Sequence, residues 1–264
     1  MDKLTREDAL EIIDLARQTD VRVDLSQANL SGVNLSSVNL SQADLRKANL
    51  YRTNLYRANL TNTDLTDANM RRTNLKRANL KKALIVRVDL TESNLLQANF
   101  EKASLKWTSL ARAKIDETTD LKEAELFGIN FDDLNLTRIK LGVVDFTDAS
   151  LKNTYLVGLE FAKRDLHGIN LSGSNLSEAN LCETDLTGAN LRRAKLKRTN
   201  LMGAHLMGVD MIGVDAEGAC FCKANLKWAK LDRAKLVSAV YSESTIWPDD
   251  FNPQYAGARM VTET

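Results

Sequence analysis

The stretch ADLRKANLYRTNLYRANL, residues 43–60, places a leucine at every fifth position: Leu45, Leu50, Leu55 and Leu60. A period of five matches neither the two-residue alternation of a strand nor the roughly 3.6-residue turn of a helix. Outward from this stretch, the same spacing runs from Leu25 to Ile115, nineteen units, and again from Leu121 to Ile246, twenty-six units. Every central position is apolar or aromatic, with Ala216 and Tyr241 the least typical. Two residues earlier the side chain is usually small, as at Ala28, Val33, Ala43, Ala48, Thr53 and Ala58. Between the two sits Asn or Asp, as at Asn29, Asn34, Asn39 and Asp44. The unit is therefore small residue, Asn/Asp, leucine, then two free positions.

Residues two apart on an extended segment face the same side, so the small residue and the leucine point inward together. Asn and Asp tolerate turn conformations and bond nearby backbone groups. Glycine recurs at the second free position (Gly128, Gly158, Gly188, Gly208), where a type II turn requires a positive φ. One such unit cannot bury its leucine alone, whereas stacked units can. On these residues, over roughly 23–246, the chain resembles the pentapeptide-repeat proteins of cyanobacterial type. The resemblance implies an all-β solenoid, a right-handed quadrilateral parallel β-helix in which four units make one square coil. It also implies about eleven coils, stacked at the ~4.8 Å spacing of paired strands. A left-handed helix of six-residue repeats is excluded by the period.

The expected organisation is an N-terminal capping α-helix within 1–22, a first repeat run over 23–115, and a register break at 116–120. A second run over 121–246 and a C-terminal cap and tail over 247–264 complete it. Thr5 and Asp8 form a capping-box-like start, and Ala9, Ile12, Ile13 and Ala16 an apolar face. In TIWPDDFNPQYAGA, Trp247, Phe251 and Tyr255 are suited to covering the far end, and this segment resembles the C-terminal segment of cyanobacterial family members. Ile115 to Leu121 spans six residues rather than five, an extra residue that bends or divides the solenoid. Beyond it the small position turns bulky (Ile129, Leu134, Ile139, Leu159, Arg164, Ile169), which predicts irregular or widened coils between about 119 and 170. Arg164 requires an open coil or an acid.

Charge names no partner, with 36 basic residues against 35 acidic. No apolar run reaches the ~20 residues of a bilayer span. The N-terminal MDKLTREDALEIIDLARQ lacks the apolar core of a secretory signal. Three cysteines suit a reduced, cytoplasmic chain. His167 and His205 sit in outward positions outside any motif. Cys220 and Cys222 lack a second ligand pair, and Cys182 lies two coils from Cys222, about 10 Å, too far for a disulfide. With no phosphate loop, nucleophile elbow or paired-acid motif, the expectation is no catalytic residue, cofactor, metal or small-molecule substrate.

Function should then be written in the free positions. Residues 46–87 hold eleven basic residues against Asp64 and Asp67. The candidate interaction surface there is Arg46, Lys47, Tyr51, Arg52, Tyr56, Arg57, Arg71, Arg72, Lys76 and Arg77. With twenty residues per coil, Arg52 falls beside Arg72 and Arg57 beside Arg77, and stacked like charges need an acid or an anionic partner. Glu92 beside Arg72 and Glu101 beside Lys81 supply part of that. The tyrosines suit base stacking, and equally packing on a β surface. A second candidate patch is Met202, Met207 and Ile212, outward on three successive sides, suited to docking or a homodimer. The leading expectation is a non-catalytic, rod-shaped scaffold or regulator acting by protein–protein interaction. The alternative is nucleic-acid binding through 46–87. Third is a DNA-mimicking, gyrase-interacting protein such as the family contains, against which the near-neutral charge and the basic band both count.

Overall fold

The computed structural model describes residues 2–139, 141 and 145–262. Its logic is visible in one unit, residues 49–53. Asn49 N donates to Ala28 O one coil behind (2.9 Å), and Leu50 N to Asn69 O one coil ahead (2.7 Å). Arg52 N donates to Arg71 O (3.1 Å), and Thr53 N closes the turn on Leu50 O (3.0 Å). The fifth amide, Tyr51 N, has no backbone acceptor and donates instead to Asn49 Oδ1 at 3.2 Å. The next unit repeats this, with Tyr56 N on Asn54 Oδ1 at 3.1 Å. The Asn/Asp position is thus extended and paired, each to its counterpart one coil away (Asn29↔Asn49↔Asn69). The turn-compatible backbone expected of Asn and Asp is not used. The positive φ falls at the second free position instead, on arginine and lysine (Lys47 58°, Arg52 56°, Arg57 57°) as well as on glycine (Gly188 68°), the type II signature.

Pairing side chains add a ladder of their own. Asn54 Nδ2 donates to Asn34 Oδ1 (3.0 Å) and Asn74 Nδ2 to Asn54 Oδ1 (2.9 Å). Inward, Leu45, Leu50, Leu55 and Leu60 are fully buried. Where threonine takes the small position its hydroxyl is satisfied inside: Thr53 Oγ1 donates to Leu30 O at 2.7 Å and Thr73 Oγ1 to Leu50 O at 2.8 Å. Each side pairs mostly through a single residue, so among the described residues longer strands are confined to a parallel pair, β1 (Val240–Tyr241) and β2 (Arg259–Met260).

Two compact units are present, one of Met1–Leu134 and Arg138–Asp145, the other of Asn135–Thr137 and Phe146–Thr264. In the first, helix α1 (Arg6–Gln18) starts at a Thr5–Asp8 capping box and buries Ala9, Ile13 and Ala16. Leu4 N donates to Asn29 O (2.9 Å), and the Arg6 and Arg17 guanidiniums to the Asn34 and Asn39 carbonyls. Its ladder then steps by twenty residues up to Asn94↔Lys114 and by twenty-one from Asn99↔Asp120 to Ser109↔Asn130. The extra residue is absorbed locally: Thr119 N bonds Asp116 O (2.9 Å) and Thr119 Oγ1 bonds Leu95 O (3.0 Å).

In the second unit the ladder is regular from Asn135↔Tyr155 through Cys220↔Val240. Within the span expected to be irregular, the twenty-residue step holds for Asn135↔Tyr155 and from Ser150↔Asn170 onward, while residues 140 and 142–144 lie outside the described residues. Ile129 and Leu134 in the first unit, and Ile169 in the second, are buried, as are Phe131 in the first and Phe146 and Phe161 in the second. Arg164 is half-buried and keeps regular backbone bonds to Phe161 O (3.2 Å) and from Asp185 N (3.0 Å). Two C-terminal expectations need correcting. Asn225 pairs with Ile246, twenty-one residues on, so Thr245 takes the inward small position and Ile246 turns outward, 48% exposed. Trp247 packs on Phe221, Tyr241 and Phe251 (centroids 5.4–5.7 Å), but Tyr255 is 93% exposed and covers nothing.

Leu84 occupies an Asn/Asp position between Asp64 and Ser104, outward and exposed. Among the described residues no acceptor meets the Val86 amide two positions on. Leu84→Asn should supply one and stabilise the protein by about 0.5–1.5 kcal/mol, whereas Asn54→Ala should cost about 1–2 kcal/mol. Leu55→Ala should cost roughly 2–5 kcal/mol. Denaturant unfolding checks all three, and an Asn54→Ala variant as stable as wild type would contradict the role given to the ladder.

Candidate interaction surface

The two free positions of each unit stack from coil to coil, so the surface is built as columns. At one turn Arg52 lies over its neighbour Tyr51, with the guanidinium carbon 5.1 Å from the ring centroid. One coil on, Arg72 Nη1 donates to the Tyr51 hydroxyl (3.4 Å) and Nε to Glu92 Oε2 (2.7 Å). Arg71 reaches the same carboxylate at 3.1 Å, and Arg112 approaches it at 3.7 Å. At the following turn the pattern recurs: Arg57 lies 5.1 Å over Tyr56, and Arg77 Nη1 donates to the Tyr56 hydroxyl (3.5 Å). Here Arg77 Nε meets Gln97 Oε1 at 2.6 Å, and Lys76 stands alongside in the first free position.

The candidate residues thus fall into groups. Tyr51, Arg52, Arg71 and Arg72 share one turn and Tyr56, Arg57, Lys76 and Arg77 the next. Arg46 and Lys47 lie on a different turn, where Arg46 pairs with the buried Asp44 and approaches Asp64 at 3.8 Å. Elsewhere in the band Lys81 pairs with Glu101 (2.8 Å) and Arg87 with Asp67 (2.7 Å). These partners hold carboxyls below their ordinary range: Glu92 through its bonds from Arg72 and Arg71, Glu101 through Lys81, Asp67 through Arg87 and Asp44 through Arg46.

The second patch is less exposed. Met202 is 41% exposed, while Met207 and Ile212 are half-buried on the next two turns. Met202 stands between Cys182 and Cys222 in one outward column, as the bonds Glu183 N to Met202 O (2.8 Å) and Gly203 N to Cys222 O (2.9 Å) place it. The three cysteines form no disulfide, and burial pushes the Cys182 thiol up. Among the described residues no group of three or more His, Cys, Asp or Glu is arranged to hold a metal ion, and no helix is long and apolar enough to cross a membrane. Sequence reasoning passed over two exposed tryptophans at second free positions. Trp107 lies edge-on to Phe127 (5.0 Å) above Gly128, and Trp228 is 65% exposed with Lys227 Nζ 4.7 Å from its ring. An aromatic residue at a position that always faces solvent was the signal available.

The lowered carboxyls set a pH dependence. A group whose pKa falls on folding contributes stability that is present above its unfolded pKa and lost as pH falls through the folded value. The melting temperature should therefore drop below about pH 4. Glu92→Gln should make that acid limb shallower, read by thermal unfolding between about pH 3 and pH 6. An acid limb superposed on wild type would contradict the coupling of Glu92 to Arg71 and Arg72.

The pentapeptide repeats family model matches in eight copies, over residues 21–56, 53–91, 83–119, 165–203 and 199–236. No curated protein matches the chain significantly. Among solved structures it is similar to HetL, a pentapeptide repeat protein involved in heterocyst differentiation regulation from the cyanobacterium Nostoc sp. strain PCC 7120. That match has 27% identity, covers 94% of this chain and 99% of that one, and has a TM-score of 0.32. Rfr23 from the cyanobacterium Cyanothece 51142 matches at 26% identity, over 47% of this chain and 87% of that one, TM-score 0.32. QnrB1, a plasmid-mediated fluoroquinolone resistance protein, matches at 14% identity, over 74% and 88%, TM-score 0.44. The five-residue period, the twenty-residue ladder and the family match over most of the sequence lead to one conclusion: this chain belongs to the pentapeptide-repeat family.

Proposed function

We propose that the protein is a non-catalytic scaffold or regulator that acts in the cytoplasm by binding another protein. It does so on a solenoid of about eleven coils, with helix α1 covering the first coil. The observation that carries this reading is the order of the exposed side chains in the first unit. Tyr51, Arg52 and Arg72, and likewise Tyr56, Arg57 and Arg77, are held by ring contacts and hydrogen bonds rather than left as solvated arms. A surface whose long side chains are already fixed loses less entropy on binding.

Nucleic-acid binding through 46–87 is the second reading, favoured by the eleven basic residues of that band. Two observations weigh against it. Glu92, Glu101, Asp67 and Asp44 already neutralise much of the band, and each tyrosine ring has a guanidinium over one face, where a base would stack. Gyrase interaction by DNA mimicry comes third, because the organised columns are positive where a mimic would be negative.

Affinity capture from the native lysate, comparing wild type with a variant carrying Glu at Arg52, Arg57, Arg72 and Arg77, tests the reading. A defined protein recovered by wild type and lost by the variant is the expected result. Recovery of nucleic acid alone, or capture unaffected by the reversals, would overturn it.

A further inference from the structure

Two adjacent turns of the first unit carry the same motif and differ in one acceptor. At the Tyr51 turn Arg71, Arg72 and Arg112 all lie within ion-pair distance of Glu92. At the Tyr56 turn the equivalent acceptor is Gln97, which bonds Arg77 Nε at 2.6 Å but carries no charge. Among the described residues no carboxylate lies within ion-pair distance of Arg57, Lys76 or Arg77. The next acids along these columns, Asp116 and Glu117, stand two steps beyond Lys76 and Arg77 at the register break, and Glu117 is within 3.9 Å of Arg138. Arg57 and Arg77 are nonetheless stacked in adjacent coils, a like-charge juxtaposition that costs stability unless something offsets it.

Resting on the protein-binding reading above, we propose that the Tyr56–Arg57–Lys76–Arg77 turn is the docking point for a short acidic segment of the partner protein. Its carboxylate takes the place that Glu92 fills at the neighbouring turn. Arg77 is aimed by its bonds to Tyr56 and Gln97, and its remaining N–H groups form the planar fork that suits a carboxylate. Arg57 is steadied by the Tyr56 ring beneath it. Charge fixes the length of the ligand. Along the columns the cations are followed by Leu96 and Gln97 and then by Asp116 and Glu117, which repel a polyanion continuing in that direction. A long phosphate backbone gains little here, whereas one or two side-chain carboxylates fit.

The test is fluorescence anisotropy with a labelled tetraglutamate peptide and, separately, a labelled twelve-nucleotide single strand, at low salt on the full chain. Gln97→Glu builds the missing counter-ion into an exposed position, and a melting curve checks that the variant is folded. Tetraglutamate should bind wild type, weaken about tenfold in Gln97→Glu and not weaken in Glu92→Gln. Absent binding, or equal binding to wild type and Gln97→Glu, would overturn the proposal. So would a single strand that binds more tightly than tetraglutamate and is the ligand weakened by Gln97→Glu. Equal tetraglutamate binding together with lysate capture lost on the fourfold reversal means this inference fails while the protein-binding reading stands. Weakening by Gln97→Glu with no lysate capture means the reverse.

Discussion

Each five-residue unit has five amides, and backbone acceptors satisfy only four, three on neighbouring coils and one across the turn. The fifth, at the first free position, must find an acceptor, and it finds the Oδ1 of the Asn or Asp two residues before it: Tyr51 on Asn49, Tyr56 on Asn54, Thr66 on Asp64. This requirement explains why a short polar residue sits between two inward apolar ones in unit after unit. Once that amide is closed locally, the chain can turn a corner every five residues without leaving a backbone donor unpaired. The leucine then points into the core each time, and its burial, worth roughly 1.5–3 kcal/mol per side chain, drives the stack. Asparagine adds what aspartate cannot, an Nδ2 donor that links each coil to the one before.

The same geometry has a cost and a consequence. Among the described residues, thirty-one non-glycine residues have positive φ, all but Asp20 at the second free position. Left-handed backbone costs an L-residue roughly 1–2 kcal/mol. Glycine would relieve that strain but would leave no side chain on the surface. Arginine, lysine, glutamate and tryptophan hold these positions, so the columns they form are where the protein's chemistry is displayed. Because columns repeat at the strand spacing, every charge has a fixed neighbour one coil away. The surface is therefore a sequence of matched and unmatched pairs. Arg87 on Asp67 and Arg72 on Glu92 are matched, and Arg77 on Gln97 is not.

Much of this was legible in residue numbers alone. Once Leu45, Leu50, Leu55 and Leu60 are taken as the four inward residues of one coil, adding twenty to a residue number gives its neighbour. That arithmetic places Glu92 beside Arg72 and Glu101 beside Lys81, as found at 2.7 and 2.8 Å. What it could not give are features decided by side-chain conformation and by small register slips. Tyr51 and Tyr56 read equally as open stacking platforms, and only their rotamers show a guanidinium over each ring. Ile246 sits on the five-residue count, yet the slip just before it hands the inward place to Thr245, whose hydroxyl is satisfied by Phe221 O at 2.9 Å. Threonine serves at inward and outward positions alike, so the sequence carries no mark of the change. Tyr255 is aromatic in a segment suited to covering the end, and its exposure follows from tertiary placement rather than from pattern.

Site-resolved amide hydrogen exchange on the wild-type chain addresses the closing of the fifth amide most directly. The account predicts that the amides of Tyr51, Tyr56 and Arg71, each bonded to an Asn side chain, are protected. It predicts that the Val86 amide, two residues after Leu84, exchanges markedly faster although it lies within the same ladder. Equal exchange at Tyr56 and Val86 would contradict it.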